Sequence, residues 1–264
     1  MFEILYRPHA DPVKFPLTDG WTPMILIIGF YLFIVLKLGR DIMAHRQPYD
    51  LKKVLKVYNL AQILYNSSVF ILITYIIFGK RPYNLNCLIT LPLDHPLKMT
   101  ERLVAYSYYI NKIMDLLDTV FIVLRRSFRQ ISALHLIHHV YMVVGSYVMI
   151  RYTGYGGQVL ITGYLNVFVH SVMYGYYYLS SQYPLIKQSL WWKKYITILQ
   201  MVQFLLIFAH NAWTYMQPNC GVSPYVIFLI FFMSSFMFVM FTNFYIQSYI
   251  RPKKKTTKED TKLN

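Results

Sequence analysis

Residues 21–38 read Trp-Thr-Pro-Met-Ile-Leu-Ile-Ile-Gly-Phe-Tyr-Leu-Phe-Ile-Val-Leu-Lys-Leu, and their single charge, Lys37, falls next to the end. About 20 apolar residues in helical form span the hydrocarbon core of a bilayer, about 30 Å thick. Similar runs recur at about 54–78, 102–124, 133–150, 158–180, 195–216 and 224–247. Lipid offers no partner for backbone N–H and C=O groups, so such segments must be helices that satisfy their own hydrogen bonds. The sequence predicts an all-α integral membrane protein with seven transmembrane helices. Its 264 residues are 56% hydrophobic, 18% aromatic and only 14% charged, which excludes an ordinary soluble fold.

Ahead of the first run, Pro8, Pro12 and Pro16 stand beside Glu3, Asp11 and Asp19. That composition has no apolar core of a cleavable signal, so the first helix is expected to act as the insertion signal. No internal repeat is evident. One transmembrane domain is read over residues 1–250, followed by a disordered basic tail at 251–264. The loop at about 79–101, with Pro82, Pro92 and Pro96, is expected to be ordered partly by its apolar residues against the membrane surface. Asn66-Ser-Ser matches a glycosylation pattern but lies inside a span, out of reach of the transferase.

The net charge is +15, and sixteen of the 26 Lys and Arg residues fall on one side of the assigned spans against seven on the other. Because positive charge is retained on the cytosolic face, the C-terminus is expected in the cytosol and the N-terminus outside or lumenal. The same basic face suits anionic headgroups of membrane lipids, and it would attract a polyanionic soluble substrate. Nucleic acid is excluded as a partner, since no soluble basic domain exists to present such a patch.

Ionisable groups at membrane depth are costly and need a partner or a function. The third run carries Asn111, Lys112, Asp115, Asp118 and Thr119 on about a third of the helix surface, at 100 degrees per residue. Lys112 and Asp115 at i, i+3 are suited to a structural ion pair, which leaves Asp118 in want of another partner. The next segment begins Ser132-Ala-Leu-His135-Leu-Ile-His138-His139, and its three histidines at i, i+3, i+4 share one face. Such a group serves as metal ligands or as acid, base and nucleophile. The fifth run places Gly163, Asn166, His170, Met173, Tyr174 and Tyr177 in one stripe. In the sixth, Thr197, Gln200, Gln203 and Phe204 follow the basic Trp191-Trp-Lys193-Lys194, and the two glutamines read by default as interhelical hydrogen-bonding groups.

In this order the segments resemble the very-long-chain fatty acid elongase family, membrane 3-oxoacyl-CoA synthases. The resemblance rests on Lys112-Ile-Met-Asp115-Leu-Leu-Asp118-Thr119, His135-Leu-Ile-His138-His139, His170-Ser-Val-Met173-Tyr174-Gly-Tyr176-Tyr177 and Thr197-Ile-Leu-Gln200-Met-Val-Gln203-Phe204. One departure is Asp115, where the family commonly has Glu. The C-terminal Thr261-Lys262-Leu-Asn lacks a full dilysine retrieval signal, so residence in the endoplasmic reticulum membrane is implied by the resemblance alone.

The resemblance implies six helices around an acyl tunnel with one helix outside, and a condensation of acyl-CoA with malonyl-CoA without a cofactor or metal. It implies His138 as nucleophile and His170 as its partner across the cavity, with exchange of those roles left open. Asp118 would fix an imidazole tautomer, His135 and His139 would shape the box, and Lys112 would neutralise Asp115 or meet the malonyl carboxylate. Asn166, Tyr174, Tyr177, Gln200 and Gln203 are expected along the substrate path with Asp115. Lys193, Lys194, Arg251 and Lys254 are placed to meet the CoA phosphates, although membrane anchoring explains them about as well. The reductases and dehydratase of the elongation cycle are the implied protein partners, and a homo-oligomer is compatible with everything above. A di-iron desaturase also uses an H-x-x-H-H box but needs more histidines than the five left once His9, His45 and His95 are assigned to loops. A seven-helix receptor or channel is a further class, distinguished by not consuming malonyl-CoA.

Cys87 and Cys220 fall in loops on the same, non-cytosolic side. In an oxidising lumen they are expected to form a disulfide that clamps the ends of distant helices.

Overall fold

The structure, a computed structural model, describes residues 9–251, which are helical with no strand among them. The main helices are α1 (Thr22–Ala44), α2 (Lys52–Lys80), α3 (Lys98–Met114), α4 (Leu117–Leu124), α5 (Ala133–Thr153), α6 (Val159–Gln182), a short α7 (Pro184–Gln188), α8 (Leu190–Tyr215) and α9 (Pro224–Ile250). Five of them, α1, α2, α5, α8 and α9, are long and apolar enough to cross a membrane. The expected third span is divided: α3 and α4 are separated at Asp115 and Leu116, where the Leu116, Asp118 and Thr119 amides donate to carbonyls three residues back. The first helix runs on past Leu38 to Ala44, through a π-helical stretch at Ile34–Leu38. α6 has the length of a span but mixes its apolar residues with tyrosines, serines, Asn166 and His170.

Packing neighbours trace a closed ring in the order α2, α6, α8, α9, α5, α3 and back to α2. α1 stands outside it, against α5 and α4. Inside the ring lies an apolar cavity of about 120 Å³. All six ring helices line it, for example through Ile73, Tyr108, Gly145, Asn166, Gln203 and Met237, and α1 contributes nothing.

One end of the bundle gathers the segment before α1, the α2–α3 loop and the α8–α9 loop. Cys87 and Cys220 are disulfide-bonded there, with Cα atoms 5.6 Å apart and a sequence separation of 133. Closing a loop of that size stabilises a fold by roughly 5 kcal/mol in chain-entropy terms. His210 Nε2 donates to the Leu85 carbonyl (3.0 Å) and Trp213 Nε1 to Asn86 Oδ1 (3.1 Å), fastening the same loop to α8.

A buried ion cluster completes this end. Arg102 Nε donates to Asp11 Oδ1 and Oδ2 at 3.1 and 3.0 Å, Lys98 Nζ lies 2.7 Å from Glu101 Oε2 and 3.6 Å from Asp11 Oδ2, and Glu101 also accepts from Tyr83 and the Leu91 amide. The α2–α3 loop is thus held by hydrogen bonds to Glu101 and by the disulfide together with its buried Leu88 and Leu91. Gly156, at φ +105°, sits where any Cβ would overlap the Glu101 carboxylate, and both conformation and space demand glycine. The opposite end carries the basic turns, where Tyr49 N donates to the Leu124 carbonyl and an Arg126 N–H to the Arg46 carbonyl.

Candidate functional site

The site is assembled where α2, α3, α4, α5 and α6 face one another, on the basic side of the cavity. Ser132 opens α5 by accepting the His135 amide at 3.2 Å, an N-cap that fixes where the helix starts and so where its histidines face. His135, His138 and His139 come together: ring centroids are 4.5 Å apart for His135 and His139 and 5.3 Å for His138 and His139. His135 Nε2 bonds Thr119 Oγ1 at 2.8 Å, and Thr119 in turn meets the Tyr31 hydroxyl at 2.8 Å, so this ring is held from α4 and α1. His139 is buried. His138 packs edge-on against His139 and Phe241.

Lys112 is the centre of the polar cluster and is 1% exposed. Its ammonium donates to Asp115 Oδ2 and Asn166 Oδ1, both at 2.9 Å, lies 3.4 Å from His170 Nδ1 and stands 4.9 Å above the Tyr108 ring. A buried charge is tolerated only when paired and hydrogen-bonded, and this one is. Asp115 Oδ1 accepts from Gln62 Nε2 and from the Tyr174 hydroxyl, each at 3.1 Å. Its other oxygen approaches His170 Nδ1 at 3.5 Å.

Asp118 departs from expectation. Its Oδ2 accepts the Tyr174 hydroxyl at 2.7 Å, and the carboxylate nearest an imidazole is Asp115. The tightened turn at Asp115 and Leu116 explains the exchange, because it sets the two aspartates on either side of Tyr174. Asn166 joins the cluster to the cavity: it accepts from Lys112 and Tyr108 and also lines the apolar space. Gln203 lines the cavity too, whereas Gln200 donates to Met173 Sδ at 3.7 Å, outside the polar cluster. Tyr177 is 42% exposed and meets the cluster only through ring contact with Tyr174. Lys194 and Arg251 are exposed and Lys193 half-buried at the basic end, and Lys254 lies outside the described residues.

Sequence reasoning missed α2. Tyr58, Gln62 and Asn66 are all buried and face the cluster. Gln62 binds Asp115, Tyr58, Asn66 and Asn111, and Tyr58 donates to the Met114 carbonyl at the break between α3 and α4. The signal was present as polar residues at i, i+4, i+8 in an apolar run, but none of them is charged at neutral pH. Asn66 is wholly buried within the helix, in keeping with its rejection as a glycosylation site.

A family profile described as GNS1/SUR4 (ELO) matches residues 16–257. Very long chain fatty acid elongase F of Drosophila melanogaster is 45% identical over 251 residues, covering 95% of this chain and 97% of that protein. Very long chain fatty acid elongase 4 of Macaca mulatta is 34% identical over 92% of this chain and 76% of its own length, and elongase 1 of Mus musculus is 32% identical over 93% and 88%. With a family profile matched over residues 16–257 and similarity to elongases over nearly its whole length, the chain belongs to the GNS1/SUR4 (ELO) family.

Proposed function

We propose that this protein is the condensing enzyme of fatty acid elongation, joining a long-chain acyl-CoA to malonyl-CoA to give 3-oxoacyl-CoA, CO2 and CoA. The observation that carries this reading is the buried cluster in which Lys112 donates to Asn166 and approaches His170, with Asn166 also lining the apolar cavity. The kinship with very long chain fatty acid elongases supports it. A neutral imidazole attacks a thioester readily and leaves a reactive acyl-imidazole.

In the proposed cycle a ring nitrogen of His138 attacks the thioester carbonyl, the carbon–sulfur bond breaks, and CoA leaves with the imidazole proton. Malonyl-CoA loses CO2, the electron pair of the broken carbon–carbon bond becomes an enolate, and its α-carbon attacks the acyl-imidazole. The carbon–nitrogen bond breaks, and the departing imidazolate takes up a proton from solvent, which restores neutral His138. The acyl tail occupies the cavity among six helices while α1 stays outside. CoA remains at the cytosolic mouth, near Lys193, Lys194 and Arg251.

The full reading has seven spans in the endoplasmic reticulum membrane, N-terminus lumenal, with the products passing to the reductases and dehydratase of the cycle. Charge supports that orientation: Lys98 and Arg102 at the disulfide end are buried and paired with Asp11 and Glu101, so the unpaired excess lies at the other end.

Purified protein supplied with malonyl-CoA and acyl-CoAs of several lengths should yield 3-oxoacyl-CoA by mass spectrometry. His138→Ala should stay folded and membrane-inserted but lose the product; near-normal turnover in that variant rejects the nucleophile. Loss of activity on thorough chelation would favour the di-iron alternative instead.

A further inference from the structure

The side chain of Gln62, on α2, is 1% exposed and has every polar contact filled. Its Nε2 donates to Asp115 Oδ1 at 3.1 Å and to the Tyr58 hydroxyl at 3.2 Å. Its Oε1 accepts from Asn66 Nδ2 at 3.1 Å and from Asn111 Nδ2 at 2.9 Å. Turning the amide over would set its NH2 group against two other NH2 groups and its oxygen against a carboxylate, so one orientation alone satisfies these partners.

That orientation propagates. Asp115 Oδ1 is taken by Gln62 and Tyr174, which leaves Oδ2 for Lys112 at 2.9 Å. Two of the three ammonium protons of Lys112 go to Asp115 Oδ2 and Asn166 Oδ1, and the third has His170 Nδ1 at 3.4 Å. An ammonium group only donates, and a proton on Nδ1 would face the protons of Lys112. Asp115 Oδ2, 3.5 Å from the same nitrogen, is already engaged by Lys112 at shorter range.

We infer that Gln62 is a positioning residue which, through Asp115 and Lys112, holds His170 with its proton on Nε2. His170 then presents an N–H donor to the oxygen that gains charge when malonyl-CoA decarboxylates, and attack on the acyl thioester falls to His138. The division of labour between the two histidines is thus set from α2, by a residue that touches neither ring. This assignment rests on the condensation reading, but its structural half does not need substrate.

The test uses the full-length protein in detergent with 13C,15N-labelled histidine. The ring signals of His170, identified by their loss in His170→Asn, should show the Nε2–H tautomer in the wild type and a mixture in Gln62→Leu. Turnover in Gln62→Leu should fall at least about tenfold while KM for acyl-CoA stays within about twofold, the pattern of a lost transition-state interaction. Gln62→Glu keeps the shape and still accepts from Asn66 and Asn111 but turns an oxygen toward Asp115, so it carries the same test should Gln62→Leu fail to fold. A wild-type His170 protonated on Nδ1, or unchanged turnover in a folded Gln62 variant, overturns the inference. The tautomer is read without substrate, so an absence of 3-oxoacyl product would reject the proposed reaction and leave the hydrogen-bond assignment to be judged by its own spectrum.

Discussion

The Tyr174 hydroxyl lies 2.7 Å from Asp118 Oδ2 and 3.1 Å from Asp115 Oδ1. A phenol has one proton, so a single donor stands between two carboxylates, and the shorter contact marks Asp118 as the main acceptor. Tyr174→Phe removes that proton at a fully buried position and deprives Asp118 of this donor, while Asp115 keeps Gln62 and Lys112. It should destabilise the fold by about 1–3 kcal/mol and reduce turnover. Thermal melting in detergent together with a product assay checks this; an unshifted melting curve would mean that the contact contributes no stability.

Gly145 lines the cavity seven residues beyond His138 on α5, about 10 Å along the helix axis. A Cβ there would press on the Tyr141 ring at 3.2 Å, and a longer side chain has only the cavity to enter. Gly145→Leu is therefore expected to spare short acyl-CoA substrates and to lower kcat/KM for long ones by tenfold or more, the order of selectivity that apolar pockets reach, about 10- to 200-fold per methylene group. The readout is a series of acyl-CoAs graded by length. Equal loss at every length would show that the acyl tail lies elsewhere.

The disulfide gives a prediction about stability rather than catalysis. Replacing Cys87 or Cys220 by Ser should cost about 2–5 kcal/mol and lower the melting temperature, while the histidine cluster at the other side of the cavity keeps its chemistry. Mass mapping of non-reduced peptides should recover the 87–220 pair; free labelling of both thiols in denatured, unreduced protein would contradict it.

His9, ahead of α1, accepts an Arg151 N–H at 2.7 Å through Nε2. Burial first, then the neighbouring Arg151 and Lys14 charges, push its pKa below the ordinary 6.5. A depressed histidine contributes stability above its unfolded value and loses it as pH falls through the folded one. The melting temperature should therefore decline from about pH 6.5 downward, and His9→Asn should flatten that decline. A wild-type profile that rises toward acid would reverse the assignment.

The apolar runs exposed the long helices because lipid leaves the chain no other way to satisfy its backbone, and the i, i+3, i+4 spacing foretold that His135, His138 and His139 come together on one face of α5. What stayed hidden depends on partners far apart in sequence. Asp11, in the proline-containing segment ahead of α1, is the buried counter-ion of Arg102, 91 residues away. Tyr58, Gln62 and Asn66 of α2 are uncharged, and a carboxamide shows its value only when all its partners are seen. The break after Met114 carries no proline or glycine to announce it, and it is this break that gives Asp118 to a phenol.

The closed ring has a consequence for how the protein is made. Its members do not meet in the order of synthesis: α9, made after the other five ring helices, fits between α8 and α5 and shuts the enclosure. Until it arrives, the cavity-facing sides of α5 and α8 are open laterally, although Cys220, four residues ahead of α9, is already present to pair with Cys87. A nascent chain stopped before Pro224 would hold nearly every polar group of the site and still have no chamber. The C-terminal helix is the stave that makes the barrel.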